Sequence, residues 1–407
     1  MLRISILSLL LLLASVFADP SVSTKRTLDF KEVCTNNKNW TTLYLRAEGS
    51  NDTLHYLWDF GGKPSILMAL TSPAATLNIT CEDFLLRKNN SITFSQDPIY
   101  TIGIIINRII EFNDVNDTAV INIADVTNIN VLRPEFFRWS RKSLSVIGDS
   151  VGLDMEGNSY NDTAKNITRY GSIKLSLRGF CFLDHTETTP HMLHTENSTQ
   201  VDFIFDNIQT NETFSNSRFA IELLMVGDGN PDRILVIDPK KSLDDEHTPG
   251  IFEVIEVRVP AFDRTDKMES TGGYLQWRPV SYVTASRDAT LSTETIQYPP
   301  SKVSNRVNAV KNTMLYCYYG EDAKNLLVQS IIVSLGSKGD GFYKKTHYTT
   351  WTFIIGYGIP PDEQFSNLVI MIITIGLGLP LIIIFATGIY VCFRSMSKRH
   401  TDTYLNR

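Results

Sequence analysis

The sequence predicts a mainly β luminal ectodomain of antiparallel, sandwich-like sheets, followed by a single C-terminal transmembrane helix. Three observations carry that expectation. Apolar residues through the body recur at every second position, as a half-buried strand requires. Clusters of Gly, Asn, Asp, Pro and Ser interrupt these runs, while amphipathic helical patterns of ordinary length are missing. Near the end, residues 368–393 form 26 positions without a charge. At ~1.5 Å per residue that is enough to cross a ~30 Å hydrocarbon core.

Taken in order, residues 1–18 read as a signal peptide: Arg3 precedes an apolar run that ends in Val16-Phe17-Ala18. Residues 19–366 form the ectodomain, as one large unit or as two lobes, about 27–215 and 216–355. Residues 367–393 form the span. In the tail, 394–407, Arg394, Lys398 and Arg399 follow the span at once, which places it in the cytoplasm.

Within the body, Val201, Phe203 and Phe205 alternate with Asp202 and Ile204, and Ile255, Val257 and Val259 alternate with Glu256 and Arg258. Ile173, Leu175 and Leu177 oppose Ser172, Lys174, Ser176 and Arg178. Further strand-like runs are 43–46, 55–58, 66–70, 104–112, 219–225, 234–237, 275–282, 326–335 and 350–355. Residues 287–308, rich in Ser, Thr and Pro, read as a long surface loop.

Nine N-x-[ST] acceptors occur, at Asn39, Asn51, Asn78, Asn89, Asn116, Asn161, Asn166, Asn197 and Asn211, and none follows Asn211. Collectively they indicate a sugar-coated surface in the secretory pathway. The skew implies that the half after residue 211 faces something other than open lumen. Of five cysteines, Cys392 sits at the membrane edge. Cys34, Cys81, Cys181 and Cys317 remain as disulfide candidates in an oxidising lumen, with three connectivities open. The net charge of −6 offers no basic stripe for nucleic acid.

Candidate chemistry is thin. Gly148-Asp149-Ser150 with Asp244-Asp245-Glu246-His247 resembles the serine and Asp-x-x-His of GDSL-type esterases, where histidine deprotonates serine. That fold alternates helices with strands, and a short Gly-Asp-Ser is also a turn. His191 and His194 are spaced for a metal, but no carboxylate or thiol cluster supports them. No catalytic, cofactor-binding or metal residues are assigned, and no enzyme activity is expected. Trp351, Phe353 and Tyr357, just before the span, read either as core of a last strand or as part of a partner interface. Gly376 and Gly378 thin the span and permit close helix approach.

Several blocks in fixed order resemble the glycosylated lysosomal membrane protein family. They are the stretch from Leu43-Tyr44-Leu45-Arg46 to Leu54-His55-Tyr56-Leu57-Trp58, Ser242-Leu243-Asp244-Asp245-Glu246 with Pro249, Gln276-Trp277-Arg278-Pro279-Val280-Ser281-Tyr282, and Gly356-Tyr357-Gly358-Ile359-Pro360-Pro361. The resemblance implies a lysosomal, single-pass type I glycoprotein that acts as an accessory subunit. Its implied partner is a multi-spanning transporter of the major facilitator type, exporting small peptides, which the subunit retains in lysosomes and shields from proteases. A homo-oligomer stays open. The family's tail can end in Tyr-x-x-hydrophobic, whereas here Tyr404-Leu405-Asn406-Arg407 ends in Arg. A cell-surface receptor is the rival reading, since Tyr404-x-Asn406 resembles a phosphotyrosine docking site, and a luminal hydrolase is the third.

Overall fold

The computed structural model describes residues 25–35, 41–147, 150–242, 250–362 and 367–404. The leader, Asn39, Gly148-Asp149 and the block 243–249 lie outside the described residues. Eighteen strands form one antiparallel hydrogen-bonded sheet that folds into two facing layers.

The first layer runs Thr27–Glu32, Thr42–Glu48, Thr53–Asp59, Ser65–Thr71, Tyr100–Asn113, Ser217–Gly227, Leu327–Leu335 and Ser292–Lys302. Ile129–Leu132 extends it beside the far half of Tyr100–Asn113. The second layer runs Arg138–Ile147, Ser150–Asp162, Ile167–Phe180, Ser198–Asp206, Tyr348–Tyr357, Met268–Trp277, Glu253–Asp263 and Asp238–Lys241. The short strand Val280–Tyr282 pairs with both Tyr348–Tyr357 and Ser292–Lys302, so Ser292–Lys302 stitches the layers together. Each layer draws strands from both sides of residue 215.

The period-two alternation works as expected. Leu54, Tyr56 and Trp58 of one layer meet Leu175, Leu177, Val201 and Phe203 of the other in a single buried core. The first layer is also covered on its outer side, where Leu57, Leu67, Ile105 and Leu224 lie under Phe84, Met314 and Leu315. Those caps sit on or beside helices of one or two turns, Cys81–Leu85, Arg306–Val310 and Met314–Tyr319. Burial on both faces explains why runs such as Ile66-Leu67-Met68-Ala69-Leu70 are apolar without a break.

Three expectations change. Residues 234–237 are extended but join no ladder, and the strand begins at Asp238. Leu235 alone of that run is buried in the core, its N–H donating to Gln329 Oε1 at 3.0 Å. Residues 287–308 are not a long loop, because Ser292–Lys302 is a strand. Its Pro299 and Pro300, which have no N–H to donate, fall where the register shifts between Tyr298 and Ser301. Of the disulfide candidates, Cys34 and Cys81 are bonded, with Cα atoms 5.4 Å apart. Cys181 and Cys317 are buried thiols. Cys181 follows a strand of the second layer, while Cys317 lies in a helix on the outer side of the first, so the fold does not bring them together. The one bridge closes a loop spanning 47 positions, worth about 2–4 kcal/mol through restriction of the unfolded chain.

Candidate glycan and partner surfaces

The ladders define two ends of the sandwich. Tyr357 ends the last strand before the span, opposite Gly273, and its neighbour Gly356 stands opposite Ser198. The Tyr357 ring packs 5.4 Å from Tyr100, the first residue of Tyr100–Asn113. Nine residues, 358–366, separate that strand from the helix Asn367–Tyr404. Fully extended they reach ~30 Å, so this end is tethered near the bilayer. The helix contains one apolar stretch, Val369–Ser395, long enough to span a membrane.

Asn116, Asn161, Asn166 and Asn211 sit at the opposite end. Asn161 and Asn166 flank the hairpin tip where Asp162 pairs with Ile167, and Asn116 follows the far end of Tyr100–Asn113. Asn211 donates its backbone N–H to Glu111 Oε1, also at the far end. Asn51 lies in a turn at the tethered end, while Asn78 and Asn89 belong to the cap over the outer face. Asn51, Asn78, Asn89, Asn116, Asn161 and Asn166 are exposed, and Asn197 and Asn211 are half-buried. Asn197 is engaged already: its Oδ1 accepts from Arg26 Nε at 2.7 Å and its carbonyl from the Tyr357 N–H.

At the tethered end, the loops that follow residue 211 cover 228–234, 264–267 and 303–326, and carry no acceptor. The far end is fastened by charge. Arg218, 3% exposed, lies 2.8 Å from Asp114 and 2.6 Å from Asp340, and also pairs with Asp117 inside the Asn116 sequon. This holds the acceptor loop against the sheet.

The partner candidates separate sharply. Trp351 and Phe353 have no exposure: they stack on each other at 4.8 Å, and Trp351 meets Trp277 edge-on at 5.9 Å inside the core. They are core residues and cannot meet a partner. Tyr357 is half-buried, Ile359 just beyond it is 76% exposed, and nothing lies within 4 Å of a Cβ built on Gly376 or Gly378. Gly376 and Gly378 are therefore two low-bulk positions on opposite sides of the helix.

A family model described as glycosylated lysosomal membrane protein matches residues 41–398. The chain belongs to the glycosylated lysosomal membrane protein family. A zebrafish (Danio rerio) protein of that name is 29% identical over 88% of this chain and 85% of its own. Glycosylated lysosomal membrane protein B of Xenopus laevis is 26% identical over 84% and 83%. The human (Homo sapiens) protein is 24% identical over 85% and 82%. This chain is thus a lysosomal membrane glycoprotein, and its single C-terminal apolar helix suits a single-pass type I topology.

Two histidines characterise the ectodomain of this family member. His55 lies between Tyr44 Oη at 2.7 Å and Thr71 Oγ1 at 2.9 Å, stacked on the Tyr44 ring. Burial, helped by Arg46, pushes its pKa down to about 4. His194 stacks on Phe180, and burial likewise pushes it to about 4. His194 shares a pocket of about 490 Å³ with Ser150, Asp184 and His185. Its Nδ1 faces the Phe182 carbonyl at 3.1 Å, where a serine hydrolase would place an orienting carboxylate. His191 Nδ1 faces the Thr186 carbonyl at 2.8 Å. Among the described residues no group of three metal-ligating side chains exists. The signal that separates core Trp351 from exposed Ile359 was present in the sequence: Trp351, Phe353 and Ile355 share one face of a strand whose other face carries Thr350 and Thr352.

Proposed function

We propose that this protein is a non-enzymatic accessory subunit that binds a multi-spanning lysosomal transporter of the major facilitator type, shields it from luminal proteases and supports its lysosomal location. The observation that supports this most is the distribution of sugars. Four acceptors crowd the end away from the membrane, while the tethered-end loops after residue 211 carry none. Glycans are too bulky and hydrated to bury in a tight interface, so a membrane partner fits the bare side and proteases meet the coated one. Proteolysis needs a segment to open and enter a cleft. A capped partner opens less and is reached less often. A low-bulk position on the helix, at Gly376 or Gly378, gives a transmembrane partner a second place to pack.

The test adds a glycan on the bare side. Asp263→Asn creates Asn-Arg-Thr in an exposed turn and keeps a side-chain acceptor for the Thr265 N–H, which Asp263 now holds at 2.7 Å. Occupied by a glycan, this variant should lose co-purification of the transporter in mild detergent and shorten the transporter's lifetime. Undiminished co-purification, here and with acceptors in the 303–326 loops, would sink the assignment.

A further inference from the structure

Beside the strand that carries Tyr100 lies a pocket of about 710 Å³ lined by Arg264, Arg306, Lys324, Tyr318 and Tyr319, with Asp228 and Thr101 also on its wall. Its arginines are held by backbone carbonyls, whereas several others in the fold are held by carboxylates. Arg108, Arg233 and Arg258 each pair with a glutamate. Arg264 instead donates Nη2–H to the Asn325 carbonyl at 3.0 Å. Arg306 donates to the carbonyls of Lys324 and Pro231, both at 2.9 Å. Among the described residues no carboxylate pairs with either guanidinium or with Lys324. Backbone carbonyls thus fix the two forks, three cations face two carboxylates in the recess, and planar forks of this kind match the oxygens of a phosphate. Of the two carboxylates present, Asp228 feels the charge of Arg264 but forms no ion pair with it, its Oδ2 accepting from the Thr101 N–H and hydroxyl at 2.8 and 2.6 Å, and Asp322 is exposed.

Position completes the argument. Thr101, on the pocket wall, adjoins Tyr100, which packs on Tyr357 at the end of the last strand. The nine-residue connection keeps that end within ~30 Å of the membrane. A protein of net charge −6 therefore turns a positive, partly aromatic recess towards the bilayer. We propose that this pocket is a phosphate-binding site that seats the headgroup of an anionic phospholipid from the luminal leaflet, holding the sandwich against the membrane.

The test uses the full-length chain purified in nonionic detergent, incubated with phosphatidylglycerol or phosphatidylcholine, with retained lipid counted by native mass spectrometry. The wild type should retain a phosphatidylglycerol that it does not retain as phosphatidylcholine. Arg264→Ala with Arg306→Ala should lower that retention roughly tenfold, as loss of charge-assisted hydrogen bonds predicts. Lys324→Glu, at an exposed side chain with no hydrogen bond of its own to lose, should give the same direction if the double variant folds poorly. Arg233→Ala, at an exposed ion pair, should retain lipid as the wild type does. Retention equal in the wild type and the pocket variants overturns the proposal, as does equal retention of phosphatidylcholine. Binding of inorganic phosphate that depends on Arg264 and Arg306, without lipid retention, overturns the lipid as source. Loss of transporter co-purification in these variants with lipid retention intact assigns the pocket to an acidic protein segment and also overturns it.

Discussion

The two ends of the sandwich are built from the same strands yet carry opposite surfaces. The far end carries glycan acceptors, with Asn116, Asn161, Asn166 and Asn211 around loops pinned by the Arg218 carboxylate cluster. The tethered end after residue 211 has no acceptor, and carries arginines held by backbone carbonyls and an exposed Ile359. Sequence position alone divides the acceptors into halves of the chain. The fold shows that much of this division runs from end to end, although Asn51 and Asn197 lie at the tethered end. On the proposed function, the acceptor-rich end faces proteases and the other faces the partner.

The sharpest way to break this comparison is at Trp351. As a fully buried side chain in the core common to both ends, its replacement in Trp351→Ala should cost about 3–5 kcal/mol and lower the unfolding midpoint of the whole ectodomain. If Trp351→Ala left thermal unfolding unchanged and weakened only partner binding, the aromatic stretch would belong to the approached surface after all.

Much of this organisation was legible in the sequence. Runs with clean alternation, such as Ser198–Asp206 and Glu253–Asp263, became strands, and the acceptors and span were readable as motifs. Edge and bridging strands were harder. Arg138–Ile147 is polar on both sides because it lies at a sheet edge, and Ser292–Lys302 hides its role behind two prolines seated at a bulge. The pocket of Arg264, Arg306 and Lys324 had no sequence signal, since its cations come from two connections far apart in the chain, 264–267 and 303–326. The Cys34–Cys81 pairing was one of several left open, because connectivity depends on the distance across the fold. Trp351 and Phe353 gained false weight as interface residues from their nearness to the span.

A smaller effect concerns acid. Both buried histidines lie toward the tethered end, His55 near the start of Thr53–Asp59 and His194 just before Ser198–Asp206. Burial holds each neutral down to about pH 4, whereas in the unfolded chain each takes a proton near 6.5. Protonation therefore favours the unfolded chain, and stability falls as pH drops from 6.5 towards 4. At pH 5 the loss is roughly 2 kcal/mol per histidine. Asp228, raised by burial, works the other way, since its protonation favours the folded chain. Thermal unfolding at pH 7 and pH 5 should show a net decrease that His55→Gln and His194→Gln each reduce. An unchanged pH response in both variants would assign the acid sensitivity elsewhere.

The smallest effect should come from the coated end. Asn161→Gln with Asn166→Gln alters an exposed hairpin tip, and should lower the folding stability of the unglycosylated chain by about 1 kcal/mol at most, chiefly because Asn166 has a left-handed φ of 53° that asparagine adopts more readily than glutamine. It should nonetheless speed cleavage by lysosomal proteases at that tip while leaving partner binding intact. Equal cleavage rates with and without the two sugars would remove the distinction between the ends.

The pairing of Ser198 with Gly356 sets a timetable for synthesis. Tyr357, whose N–H will grip the Asn197 carbonyl, is made 160 residues after Asn197. At ~5–20 residues per second, the acceptor waits roughly ten to thirty seconds beside the translocation channel before its covering strand exists. An asparagine half-buried in the finished protein is therefore open to the glycosylating enzyme while the chain grows. Any change that slows translation between residues 197 and 357 lengthens that interval and should raise the occupancy of this site above that of its neighbours.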